Sequence, residues 1–170
     1  CGSCEHVLGW RDLIPVLSHA LLGGKCRYCG AKVSIRYSVV ELLTGVLFLW
    51  TTIHFGFTVQ LIKHLILVSL LILITFIDWD HQIIPDRLNA GIAVLAVLSF
   101  LIEPQVTLMS AGLGFLLGGG LLFLIAILTG AMGGGDIKLM AAAGLFLGLS
   151  KTGVALYLGF ILGGVVSLLL

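Results

Sequence analysis

Two Cys-x-x-Cys pairs are the first residues of this sequence whose type and spacing suit a definite chemistry. Cys1 pairs with Cys4 and Cys26 with Cys29, and four thiolates presented on two short turns can hold a tetrahedral zinc ion. Because four cysteine ligands leave no open position for a substrate, such a zinc would be structural. The 21 residues between the pairs slightly exceed the usual zinc-ribbon spacing. Unpaired or redox-active thiols are the alternative interpretation.

Two aspartates, Asp78 and Asp136, form the second candidate site. Asp78 directly follows the apolar run 70–77, and Asp136 ends the run Gly133-Gly134-Gly135-Asp136 between two apolar stretches. Two carboxylates in one pocket share a proton, which supplies a general base to activate water and a general acid to protonate a leaving amine. Taken alone, Asp136 also fits a helix N-cap, as does Asp86 after Pro85.

The composition identifies the elements that must position these residues. Of 170 residues, 59% are apolar and 10% are charged, whereas a soluble domain has about 45–50% and about 25%. A chain of this length has no core large enough to bury so many apolar side chains, which excludes a soluble domain and a disordered chain. The net charge of +1 excludes nucleic-acid binding by net basicity. We therefore predict an all-α polytopic membrane protein, because helices satisfy their own backbone polar groups in lipid.

Six apolar stretches predict about six membrane-embedded helices, at 39–57, 61–77, 88–102, 106–132, 137–149 and 152–170. The third and fifth are shorter than the roughly 17–25 residues of a full span, so they must tilt or thin the bilayer. Residues 1–37 form a predicted polar cysteine module, and residues 38–170 a membrane domain. Glycines in the fourth and sixth stretches predict close helix packing, namely Gly112, Gly114, Gly118, Gly119, Gly120, Gly159, Gly163 and Gly164.

The positive charges predict the orientation. With the cysteine module in the cytoplasm and each stretch crossing once, seven basic residues face the cytoplasm and two face the other side. The seven are Arg11, Lys25, Arg27, Lys32, Arg36, Arg87 and Lys138; the two are Lys63 and Lys151. The cysteines, Asp78 and Asp136 then all lie on the cytoplasmic side, where reducing conditions favour metal binding over disulfides.

Glu41 is an acidic residue at the entry to the first predicted span, in the segment Arg36-Tyr37-Ser38-Val39-Val40-Glu41. A structural ion pair with a residue such as Arg36 and a role in binding a substrate or cofactor are equally good interpretations.

Taken in order, these motifs resemble the bacterial type IV prepilin peptidases, which are leader peptidases and N-methyltransferases. The matching pieces are the paired cysteines, the Arg36 to Glu41 region, Asp78 through Pro85-Asp86, and Gly133 through Lys138. Family members carry a spanning segment before the first cysteine and commonly continue further, so we expect the sequence to be a fragment.

The resemblance implies an aspartic peptidase of the Gly-x-Gly-Asp type in the bacterial inner membrane, with Asp78 and Asp136 as its catalytic pair. Its substrates would be prepilins and pseudopilins, cut after the glycine that ends a short basic leader and precedes an apolar helix. The resemblance also implies N-methylation of the new terminus from S-adenosylmethionine, associated with the cysteine module. Glu41, Arg36 and Tyr37 are the candidates for binding that cofactor.

Two alternatives stay open at this point. One is a non-enzymatic transporter or assembly subunit with a zinc-stabilised cytoplasmic knob, since intramembrane acids also mark ion pathways. The other is a presenilin-like protease that cuts within helices of other substrates.

Overall fold

The computed structural model describes residues 1–102, 106–130 and 132–169, and these residues form helices joined by turns. Four helices are long and apolar enough to cross a membrane: Ile35–Phe55, Val59–His81, Leu108–Thr129 and Gly134–Val165. The predicted all-α membrane fold with a small cysteine module is thereby confirmed. The chain divides into two compact units, Cys1–Leu61 and Ile62–Leu170.

The first unit contains the cysteine module and the first long helix. A 3-10 turn at Trp10–Leu13 and helix α1 (Leu17–Leu21) lie between the two cysteine pairs. Helix α2 (Ile35–Phe55) follows, and the Ser34 hydroxyl accepts a hydrogen bond from the Arg36 N–H at 3.3 Å. This N-cap satisfies one of the free N–H groups of the first helical turn and starts α2 directly after the module.

The second unit contains the remaining helices. They are α3 (Val59–His81), which begins just before the unit boundary, α4 (Asp86–Ile102), α5 (Leu108–Phe115), a π-helical turn (Leu116–Gly120), α6 (Leu121–Thr129) and α7 (Gly134–Leu169). These helices match the predicted stretches; Ala131 and Leu170, which two of those stretches include, lie outside the described residues.

Helix α7 is interrupted at Gly148, near the end of the fifth predicted stretch. Gly148 has φ 76° and ψ 174°, a conformation that glycine adopts without steric cost. The Leu149 N–H, which the interruption releases from the helix, donates to the Ser110 hydroxyl of α5 at 3.1 Å. The last long helix therefore consists of two segments, and the backbone N–H that is freed where they meet has a hydrogen-bond acceptor.

Helices α5 and α7 cross in backbone contact at two glycines. A Cβ built on Gly114 would strike the Gly144 carbonyl, and one built on Gly144 would strike the Gly114 carbonyl. Gly118 lies against the Met140 carbonyl, and Gly119 against the Cβ of Ala141 at 2.8 Å. The predicted close packing is therefore confirmed for Gly114, Gly118 and Gly119.

The prediction of close packing is wrong for the other glycines that were named. An added Cβ would meet nothing within 4 Å at Gly112, Gly120, Gly159, Gly163 or Gly164, as judged from the described part of the chain. The spacing Gly159-x-x-x-Gly163 fits the packing motif, yet no described helix lies against it. In so glycine-rich a chain, spacing alone does not identify the partner helix.

We expect Gly114→Ala to destabilise the second unit by about 2 kcal/mol or more, because the new methyl group must push two backbones apart. Gly112→Ala, two residues away in the same helix with open space around it, is the matched control. It should leave stability unchanged or raise it, since alanine favours helix over glycine. Thermal unfolding in detergent measures both, and equal melting temperatures for the two variants would contradict the assigned contact.

Helices α3, α4 and α7 enclose the buried core of the second unit. Its buried members are Leu67 and Ile74 of α3, Ile92 and Leu95 of α4, and Ala142 of α7. At the N-terminal end of α3, the buried ammonium of Lys63 donates to the Ser99 carbonyl in the last turns of α4. Two ends of these helices carry the candidate aspartates, namely the C-terminal end of α3 and the N-terminal end of α7.

Candidate functional site

The four cysteines converge in the first unit, as the zinc prediction requires. Their sulfurs all lie within 4.8 Å of one another, and Cys1 Sγ is 3.9 Å from Cys29 Sγ. A tetrahedral zinc with Zn–S distances of about 2.3 Å separates its sulfurs by about 3.8 Å. Side-chain shifts of about 1 Å or less would bring the four thiols to this geometry, and a metal-binding cluster is the plain interpretation.

Backbone groups of the second Cys-x-x-Cys turn, residues 26–29, prepare Cys26 to act as a metal ligand. The thiol is buried, and the N–H groups of Cys29 and Tyr28 lower the pKa of Cys26 to about 7. Gly30, in the left-handed conformation at φ 69°, closes this turn. Because the thiolate is the form that binds metal, this turn lowers the cost of deprotonation.

The two histidines of the module make other contacts. The His6 ring stacks on Tyr28 with ring centroids 3.7 Å apart, and His19 Nε2 lies 3.1 Å from the Val33 carbonyl oxygen. The metal-competent cluster found among the described residues comprises the four cysteines without either histidine.

Asp12 holds the turn between Cys26 and Cys29 against the rest of the module through three hydrogen bonds. Its carboxylate accepts from Arg27 Nε at 2.7 Å, from the Tyr28 hydroxyl at 3.1 Å and from the Gly9 N–H at 3.1 Å. The hydrogen bond from Arg27 holds the pKa of Asp12 below its usual value. Arg27 and Tyr28 lie between Cys26 and Cys29, so their hydrogen bonds to Asp12 fix the turn that presents both sulfurs.

Glu41 connects α2 to the module and also lines a cavity. Its Oε2 accepts from the Val16 N–H at 2.8 Å, and Val16 has φ 63°, which β-branched residues rarely adopt. A cavity of about 560 Å³ beside these residues is lined by Tyr37, Glu41, Cys1 and Cys26, among others. Two of the three cofactor candidates, Tyr37 and Glu41, thus share one cavity, and Glu41 also has a structural partner.

Asp78 lies in the last turn of α3, where its side chain is exposed. Its carbonyl accepts from the Gln82 N–H at 2.8 Å, and Gln82 adopts a left-handed φ of 52°. This conformation ends the helix and turns the chain into the segment 82–85. Asp80 and His81 follow Asp78 and are likewise exposed.

Asp136 lies in the first turn of α7 and is half-buried. The helix begins at Gly134, two residues earlier, so the N-cap interpretation of Asp136 is wrong. One carboxylate oxygen, Oδ2, lies 3.2 Å from where a Cβ on Gly133 would stand, so the carboxylate folds back over this glycine.

Three contacts bring the segment after Asp78 to the segment that carries Asp136. A Cβ on Gly135 would lie 2.9 Å from Ile84 Cβ, so the chain after α3 rests on the glycine that precedes Asp136. Asn89 Nδ2 donates to the Gly135 carbonyl at 3.4 Å, and the Lys138 ammonium binds both Asp86 oxygens at 2.8 and 2.9 Å. Segment 82–85, which follows α3, and the N-terminal ends of α4 and α7 therefore meet at one end of this unit.

The contacts of Asp86 and Asn89 were not foreseen from the sequence. Asp86 is the first residue of α4 rather than its N-cap, and its carboxylate pairs with Lys138, 52 residues later. Asn89 is buried, and its sequence neighbours Leu88 and Ala90 are apolar. An amide inside an apolar stretch was the available signal, because such a group needs a polar partner.

Two family models match this chain in succession. The model described as the bacterial peptidase A24 N-terminal domain matches residues 1–55, and the type IV leader peptidase family matches residues 65–168. The second match contains both Asp78 and Asp136, and the first contains all four cysteines. No solved structure shows significant similarity to the chain.

Curated relatives that match the chain are named prepilin leader peptidase/N-methyltransferase. The protein from Neisseria gonorrhoeae is 38% identical over all of this chain and 62% of its own length. The protein from Myxococcus xanthus is 41% identical over 86% of this chain and 46% of its own length, and that from Bacillus subtilis 34% over 96% and 66%. The chain thus spans less than two thirds of the length of these relatives, and it belongs to the type IV leader peptidase family.

Proposed function

We propose that this chain is a membrane aspartic endopeptidase that removes the leader of type IV prepilins and pseudopilins, with Asp78 and Asp136 as its catalytic pair. The observation that carries the proposal is the contact of segment 82–85 with Gly135, because it joins the ends of the two elements that bear these aspartates. We place this end and the cysteine module at the cytoplasmic face of the bacterial inner membrane, in accordance with the distribution of basic residues.

The proposed reaction uses only the two carboxyl groups and water. The ionised carboxylate takes a proton from water as the oxygen attacks the carbonyl of the glycine that ends the leader. The protonated partner polarises that carbonyl and then protonates the departing nitrogen, so the peptide bond yields an acid and an amine. Like charges in one site keep one of the pair protonated, which supplies both roles together.

We propose that the cysteine cluster holds a structural zinc ion and that the adjoining cavity takes S-adenosylmethionine. The cavity volume of about 560 Å³ falls within the roughly 300–1,000 Å³ typical of small-molecule sites. Tyr37 and Glu41 line the cavity and Arg36 lies in the same first turns of α2, so these residues would orient the cofactor. S-adenosylmethionine supplies the methyl group for the new N-terminal amine.

The test is to incubate the purified protein in detergent micelles with a prepilin and follow intact mass. We expect a loss equal to the leader, and a gain of one methyl group when S-adenosylmethionine is added. A prepilin whose leader-terminal glycine is replaced by a bulky residue should stay intact and serves as the control. An unchanged mass for the native prepilin would contradict the peptidase and favour a transporter or assembly subunit.

A further inference from the structure

An open groove of about 540 Å³ runs between α4, the π-helical turn and α7, and neither the catalytic pair nor the metal cluster accounts for it. Small residues from all three elements line it, namely Ala90, Ala93, Gly119, Gly120, Ala141 and Ala142. Phe115 and Phe123 also line it, and both are about half exposed. Surfaces of small residues let a second helix approach closely inside a membrane.

The groove has one polar end, at the level of the first turn of α7. Asp86, Asn89 and Lys138 line it there, and Lys138 follows Asp136 by two residues in α7. From Ile137 to Leu145, the lining residues of α7 cover about 12 Å of helix at 1.5 Å per residue. The groove thus leads from the proposed catalytic end into the apolar part of the unit.

Asn89 indicates which kind of molecule fills the groove. The residue is 5% exposed, and its Oδ1 accepts no hydrogen bond from any described residue. A buried acceptor without a donor costs free energy, which a bound N–H group would recover when the Asn89 amide turns toward the groove that it lines. The first turn of a helix carries N–H groups without intrahelical partners. A peptide helix therefore complements Asn89, whereas a lipid acyl chain has no donor to offer.

We infer that this groove binds the apolar helix of the substrate, with the N-terminal end of that helix at Asn89. The inference rests on the proposed function, since it names how the peptidase holds its substrate. A helix bound in this way brings the peptide bond before its first turn to the level of the α7 turn that carries Asp136. Asn89 then acts as a positioning residue, and the groove selects substrates by their apolar helix.

Two glycine substitutions test the groove with a matched control. Gly120 has helical dihedral angles and open space for a Cβ, so the leucine of Gly120→Leu fits the backbone and projects into the groove. Gly112 is equally open but does not line the groove, so Gly112→Leu is the control. The two substrates are a full-length prepilin and a short soluble peptide that spans the cleavage point without the helix.

We expect Gly120→Leu to lower kcat/KM for the prepilin, relative to that for the short peptide, by about tenfold through a higher KM. Gly112→Leu should leave this ratio at the wild-type value. Equal ratios for the two variants would overturn the groove while leaving the peptidase intact. If the wild-type protein cleaves neither substrate, the proposed function itself fails.

A cross-linking measurement identifies the occupant without relying on catalysis. A photoreactive phenylalanine at position 123, in protein that also carries Asp136→Asn, is irradiated with prepilin in lipid nanodiscs. Adducts to the apolar helix of the prepilin support the inference. Adducts to phospholipid alone, with none to the prepilin, would overturn it.

Discussion

Asp78→Asn and Asp136→Asn should each slow leader cleavage by about 10³-fold or more, because each removes one half of the acid–base pair. An asparagine has nearly the shape of aspartate but neither takes a proton from water nor delivers one to the leaving amine. At position 136 the amide can still lie over Gly133, so α7 and its contacts with Ile84 and Asn89 should persist. The measurement is the initial rate of leader release from a purified prepilin.

Asp80→Asn is the matched control for this prediction. Asp80 lies in the same last turn of α3 as Asp78, two residues further on, and it is exposed. Its substitution should change the rate by no more than a few-fold, through weaker attraction of the basic leader. Unfolding temperature and metal content of each variant report whether the fold is intact. Full activity of folded Asp136→Asn protein, or a similar loss in Asp80→Asn, would contradict the assigned pair.

Removal of one cysteine ligand should have the second large effect, confined to the cysteine module. We expect the purified protein to contain one zinc ion per chain and Cys26→Ser to lose most of it. Structural zinc binding is worth about 10–16 kcal/mol in small zinc domains, so the module should unfold when the metal leaves. Helices α3–α7 should persist, because their backbone hydrogen bonds are internal and lipid offers no competing partner.

The metal prediction is checked by elemental analysis together with limited proteolysis. Wild-type protein should resist cleavage within residues 1–34 until a strong chelator is added, and Cys26→Ser protein should be cut there from the start. His19→Ala is the control, since His19 lies outside the four-cysteine cluster, and it should keep its metal. Less than half an equivalent of zinc in the wild-type protein would contradict the site.

The positions of the helices could be predicted from the sequence because lipid imposes one rule on the backbone. A chain that cannot hydrogen-bond to its surroundings forms a helix wherever it is apolar for long enough. The charged or glycine-rich segments around Asp78, Asp86 and Asp136 therefore marked the helix ends correctly to within a few residues. The paired cysteines were equally informative, since their spacing alone suggested that they converge.

Features that depend on contacts between distant residues could not be predicted in the same way. The π-helical turn at Leu116–Gly120 lies where Gly118 and Gly119 pack against α7, and no local pattern distinguishes these glycines from the unpacked Gly112. The same limit applies to Asp86, whose N-cap interpretation was reasonable locally. Its partner, Lys138, comes near only once α4 and α7 are packed together.

Because of the break at Gly148, the directions of the side chains in the second part of α7 do not follow from those in the first part. In an unbroken helix, every residue inserted or deleted rotates all that follows by about 100°. Here the left-handed glycine lies beneath Val106 and Ser110 of the neighbouring segment, and the freed N–H of Leu149 has its own acceptor. The final helical segment can therefore change its length and the face it presents over evolutionary time, while the turn that carries Asp136 keeps its orientation.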